Sequence, residues 1–179
     1  MRYLVTLLII LPMLQGCKPD PILLKGYEGE ATAVKNGQPW RALIEGIPSK
    51  PFGYGFDLNI DVYNEYQFLR ESLYIFRIPY KNQWNMIDTI DAHTDSVITG
   101  AFYATLQEDG DVIDNVYHVI PMIGFDNFIK VTHYDEITGE VRGEFQLIMV
   151  IDPDDPKHYP NAVDTIRFEH GKFNTVIRK

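Results

Sequence analysis

Carboxylates and histidines cluster at three places in this 179-residue chain. The densest run is Asp88-Thr-Ile-Asp91-Ala-His93-Thr-Asp95. A loop offering several carboxylate oxygens suits Ca²⁺, and His93 between Asp91 and Asp95 suits Zn²⁺. The run lacks the glycine turn and the closing glutamate of an EF-hand loop, so an acid-rich turn is expected and no metal is assigned. Asp152-Pro-Asp154-Asp155, with His158 close behind, is a second case. Proline would stiffen such a site, but proline with aspartate is also ordinary turn chemistry. The third is Asp57 and Asp61 on one alternating run with Asn59 between them. On a strand they stand about 13 Å apart, wider than the ~5–9.5 Å of glycosidase acid pairs. A solvated strand face is the expectation there.

Nucleophile chemistry finds little support. The serines, Ser49, Ser72 and Ser96, include no Gly-x-Ser-x-Gly elbow. Gly53-Tyr-Gly55 has neither the lysine nor the following helix of a phosphate-binding loop. The five histidines fall at no metal-ligand spacing. The reading is therefore a protein without catalytic residues and without a cofactor. The alternative is a metal- or carboxylate-dependent hydrolase acting on envelope polysaccharide, in which Asp91, His93 and Asp95, or Asp154 and His158, would converge with other groups.

The single cysteine, Cys17, has a clearer context. Residues 1–16 place Arg2 before an apolar run from Leu4 to Leu14 and end in small Gly16. That is the layout of a secretory signal, and the run is too short for the roughly 20 residues a membrane helix needs. Leu14-Gln15-Gly16-Cys17 resembles the bacterial lipoprotein box. The resemblance implies that Leu14, Gln15 and Gly16 form the signal-peptidase recognition segment. It also implies that Cys17 takes a diacylglycerol through its sulfur and becomes the first mature residue. A thiolate suits that reaction as a good nucleophile. Each buried CH₂ contributes about 0.8 kcal/mol, and two chains anchor stably where one does not. Residues 17–27 then read as a lipidated tether. Lys18-Pro19-Asp20 partly resembles the lysine-plus-acid signal that Bacteroidota lipoproteins use for surface display, which leaves both faces of the outer membrane open.

Residues 28–179 read as one β domain. Short alternating runs are separated by turn chemistry such as Asn36-Gly37 and Asp135-Glu-Ile-Thr-Gly139. The expected strands include Phe128–Tyr134 and Glu140–Ile151, with a closing hairpin around His170-Gly171. The fold class is all-β, an antiparallel β-sandwich or a lipocalin-like barrel of about 8–10 strands. The formal charge of −9 argues against nucleic acid as a partner. Aromatics are abundant, with 11 Tyr, 10 Phe and 2 Trp. Phe52, Tyr54 and Phe56 surround two glycines and form the candidate ligand-recognition loop.

Val34-Lys-Asn-Gly-Gln-Pro-Trp-Arg-Ala42, Gly143-Glu-Phe145 and Gly171-Lys-Phe173 resemble the punctuation of small Bacteroidota lipoproteins with a β-rich domain of unknown function. The resemblance implies fold and address. With the anchor and the aromatics, it leads to an envelope lipoprotein that binds a glycan, a small apolar ligand or an envelope protein.

Overall fold

The computed structural model describes residues 26–49, 55–81, 84–87, 98–152 and 162–178. Ten strands follow in chain order: β1 (Glu30–Lys35), β2 (Gln38–Pro48), β3 (Phe56–Tyr63), β4 (Leu69–Ile78), β5 (Trp84–Met86), β6 (Gly100–Leu106), β7 (Ile113–Val119), β8 (Phe128–Tyr134), β9 (Glu140–Ile151) and β10 (Thr165–Val176). The described residues contain no helix.

Neighbouring strands pair antiparallel in the order β10-β1-β2-β3-β4-β6-β7-β9, and β9 pairs back onto β10. Eight strands thus close a barrel, the second of the two architectures left open by the sequence. β9 carries an extra branch. Along one edge it pairs with β10 from Glu140 to Val150. Along the other, Val141–Gln146 pair with β8 and Met149–Ile151 pair with β7. β5 extends the branch by pairing with β8.

Local sequence explains the turns. Asn36 and Gly37 both take positive φ, 50° and 79°, as the tight hairpin between β1 and β2 requires. At the β8–β9 turn, Asp135 Oδ1 accepts the amides of Ile137 at 2.8 Å and Thr138 at 3.2 Å, while Gly139 supplies φ 76°.

The expected C-terminal hairpin is not formed. Thr165–Val176 is one strand of 12 residues, with a bulge between Phe168 and Gly171 where His170 has φ 56°. A bulge and a turn use the same left-handed residue followed by glycine, so local chemistry could not separate them. The two Gly-x-Phe motifs explain each other across this ladder. Phe145 lies opposite Gly171 and Phe173 opposite Gly143. Each ring fills the space a side chain would take, since a Cβ on Gly171 would sit 2.7 Å from the Phe145 ring.

One face of every barrel strand points inward, and among the described residues large side chains occupy the interior. Phe56, Leu58, Ile60, Leu73, Ile75, Tyr103, Tyr117, Phe145 and Phe168 are all essentially inaccessible. Their rings touch: Trp40–Phe168 centroids are 5.0 Å apart, Tyr103–Phe168 5.4 Å and Tyr103–Tyr117 5.6 Å. An eight-stranded barrel is just wide enough for such a filling.

Candidate functional site

Among the described residues the barrel wall parts between β2 and β3. The β2–β3 ladder runs from Pro48 opposite Phe56 to Leu43 opposite Asp61, and stops. Beyond that point β2 continues with β1 as far as Gln38, and β3 continues with β4 as far as Tyr63. A bulge in the β3–β4 pairing between Val62 and Tyr63 bends the end of β3 at the same level. The strands part around a cleft of about 310 Å³. Arg41, Ala42 and Leu43 of β2 line one side, and Asp61, Val62 and Tyr63 of β3 line the other, with Gly29 and Glu30 at one end.

Asp61 lines this cleft as a buried acid. It is only 2% exposed, although its position on the strand turns it away from the barrel interior. Tyr27 covers it, donating its hydroxyl to Asp61 Oδ2, while Asn59 Nδ2 donates to the same oxygen at 2.9 Å. The hydroxyls of Tyr27 and Tyr63 are 3.0 Å apart, and their rings meet edge-to-face at 5.9 Å. Asp61 Oδ1 is buried and has no hydrogen-bond partner. Burial, followed by the hydrogen bonds to Asp61 and Tyr63, pushes the Tyr27 phenol up. Burial is also the main cause of the upward shift at Tyr63. Both phenols therefore stay protonated as donors. At the rim, Arg41 is engaged with Glu30.

Tyr27 reaches Asp61 because the segment before β1 lies across the barrel wall. Glu28 N–H donates to the Ile44 carbonyl at 3.2 Å. Gly29 passes so close to the Asn174 carbonyl that a Cβ would collide with it. The solvated face expected for Asp57 and Asp61 is thus corrected. Asp61 is sealed by a residue 34 positions away, and Asp57 accepts from the Tyr74 hydroxyl and the Arg77 amide, each at 2.8 Å. Alternation along β3 carried no sign of this cover, and Tyr27 had been expected at the end of the tether.

Side chains bridge the parted strands on the interior side. Glu71 of β4 accepts from Lys35 Nζ of β1 at 2.5 Å and from Trp40 Nε1 of β2 at 2.7 Å. Lys35 also donates to the Tyr103 hydroxyl at 3.2 Å. Burial, with the Glu71 carboxylate next in effect, holds the Tyr103 phenol far above its ordinary range. This clasp links β1 and β2 to β4 just where the backbone ladder between β2 and β3 is missing.

The remaining sequence candidates fall as follows. Phe56 is a correction: it opens β3, is fully buried and packs on Tyr80 at 5.3 Å. The inward register that fills the core removes it from any exposed loop. Phe52 and Tyr54 lie outside the described residues, as do Asp91, His93, Asp95, Asp154, Asp155, His158, Leu14, Gln15, Gly16 and Cys17. Asp152 is described, and its Oδ2 lies 2.8 Å from His118 Nε2. Among the described residues no three acidic, histidine or cysteine side chains are grouped to hold a metal ion. A second aromatic feature, unremarked in the sequence, lies on the outer wall. Tyr74, Phe76 and Phe102 are partly exposed there, with Tyr74 5.8 Å from Phe76 and 5.4 Å from Phe102.

No family model, curated protein or solved structure matches this chain.

Proposed function

We propose that this chain is an envelope lipoprotein, held to the outer membrane by acyl chains on Cys17, whose barrel is a binding module with its recognition site in the β2–β3 cleft. The observation that carries the choice of site is the contrast between interior and wall. The described interior positions hold close-packed rings, whereas the cleft is lined by polar and charged residues, among them Glu30, Arg41, Asp61 and Tyr63. This favours a polar ligand over the small apolar one considered from the sequence.

A second reading places a glycan on the outer wall, where Tyr74, Phe76 and Phe102 offer ring faces for stacking.

Fractionation tests the anchor. Wild-type protein partitions with membranes, and Cys17→Ser releases it or leaves the signal uncleaved. Membrane retention with unchanged processing would remove the lipid from the reading. A thermal-shift screen of the full chain against soluble envelope saccharides and small amines tests the site. A hit lost in Asp61→Asn and kept in Phe102→Ala supports the cleft, and the reverse pattern supports the outer wall.

A further inference from the structure

We infer that the barrel rests one face on lipid, with the apolar turn at Met122–Phe125 and the exposed side of β5 entering the bilayer surface. This goes beyond the cleft, which lies between β2 and β3, and takes from the anchor reading only the length of the tether.

The connection between β7 and β8 opens Ile120-Pro-Met-Ile-Gly-Phe125, six residues without one polar side chain. Its tip does not fold back onto the core: Ile123 is fully exposed, and Met122 is exposed beside it. The turn is nonetheless well held. Phe125 N–H donates to the Met122 carbonyl at 3.1 Å, and Gly124 supplies φ 81°. Buried Asn127 closes the base, donating to the Ile120 carbonyl at 2.7 Å and accepting the Ile148 amide at 2.6 Å. The Asn127 carbonyl accepts from Ile87 N–H at 3.0 Å, which ties the turn to the end of β5. In β5, Trp84 and Met86 are each more than half exposed and lie opposite Lys130 and Phe128. Gln146, opposite Phe128 in the β8–β9 ladder, donates to the Asp126 carbonyl at 3.2 Å. The turn therefore lies over the sheet face that carries Phe128, whose ring centre is 4.1 Å from that of Trp84.

Three features select lipid as the occupant. Rings on this face have cations against them: Lys130 Nζ lies 5.3 Å from the Trp84 ring centre, and the Arg167 guanidinium 6.0 Å from that of Phe125. Aromatic bodies at headgroup depth, with Lys or Arg reaching outward to the phosphates, suit a membrane interface. The second feature is charge. On the turn, β8, residues 144–148 of β9 and residues 167–172 of β10, Lys130, Arg167 and Lys172 balance Asp126, Glu144 and Glu169, although the whole chain carries −9. This face meets a bilayer without the repulsion the rest of the surface would bring. The third is reach. Residues 17–25 extend to about 30 Å, more than the roughly 20 Å radius of a domain this size. Acyl chains on Cys17 then keep a bilayer available to this face at high effective concentration. A protein partner would need a hollow shaped for Ile123, whereas a bilayer needs none.

The test is quenching of Trp84 by brominated lipid. The full chain, as processed in cells, is mixed with an excess of phosphatidylcholine vesicles with or without bromine on the acyl chains. Bromine should remove the Trp84 emission and leave the signal of Trp84→Phe, because Trp40 is enclosed by the barrel. Ile123→Asp, a change at a fully exposed position, should restore most of that emission while the protein still floats with the vesicles. Equal emission with and without bromine overturns the inference, whether or not the protein floats. Quenching that Ile123→Asp leaves unaltered overturns it too. A photocrosslinking residue in place of Ile123 that captures an envelope protein, with Trp84 unquenched, gives the face to a protein and removes lipid. Flotation reports the anchor and quenching reports the face, so the two readings fail separately.

Discussion

Removing Glu71 tests whether side chains replace the missing ladder between β2 and β3. Its two oxygens take separate partners, Lys35 at 2.5 Å and the Trp40 indole at 2.7 Å, and the Lys35 and Glu71 side chains are each 22% exposed. A hydrogen bond to a charged group contributes about 1.5–3 kcal/mol. Partial solvent access lets Lys35 regain water, so the lower end applies to both bonds. Glu71→Ala should therefore cost about 3 kcal/mol. With a urea slope of about 2 kcal/mol per M, the unfolding midpoint falls by about 1.5 M. Glu71→Gln keeps an acceptor for Trp40 and loses the charge facing Lys35, so about half that loss is expected. The assay is urea unfolding of the full chain followed by tryptophan emission in a Trp84→Phe background. Trp84 is 56% exposed and Trp40 only 7%, so this background isolates the buried reporter. Emission from Trp40 should move to longer wavelength in Glu71→Ala before unfolding begins, as water enters behind the cleft. A Glu71→Ala midpoint within about 0.3 M of wild type, with unshifted emission, would refute the clasp.

Two further outcomes follow from the packing. Gly143→Ala drives a methyl into the Phe173 ring and the Lys130 carbonyl oxygen and should cost about 1–3 kcal/mol as overpacking does. Phe173→Leu in the same chain should recover part of it in the same urea assay, and an unchanged double variant would contradict the ring-over-glycine packing. At high pH, Tyr74 is pushed up to about 12 by burial and then by its bond to Asp57. The folded state thus holds this proton after an unfolded tyrosine, near pH 10, has lost it. Its contribution is complete below about pH 10 and is lost as pH rises toward 12. Tyr74→Phe should remove absorbance at 295 nm that titrates near pH 12 and soften the alkaline loss of stability. A titration curve unaltered by the substitution would contradict that assignment.

Much of the fold was legible because strands and turns are local. The alternation of Phe56, Leu58 and Ile60 marks one buried face, and β8 and β9 begin and end where turn residues and patterning require. The candidate site was not legible for the opposite reason. Asp61 shares its spacing with Asp57 and Asn59, and period-2 patterning reads every outward residue of a strand as wet. Its burial depends on Tyr27 crossing the wall from before β1. β5 was also missed: at three residues, Trp84–Met86 is too short to show a period and exists because β8 offers it an edge.

By itself the sequence determined the all-β class and the positions of most strands, since each depends on neighbouring side chains and on φ preferences along the chain. The tertiary structure decided closure. The β10–β1 and β7–β9 ladders, which join strands that do not follow one another in the chain, turn alternating strands into a barrel, and only three-dimensional packing fills its centre with rings. It also decided where the wall opens. β2 and β3 each keep their outer partner and lose one another beyond Leu43 and Asp61. Pairing between strands far apart in sequence made that cleft, and a tyrosine 34 residues from Asp61 sealed the acid within it.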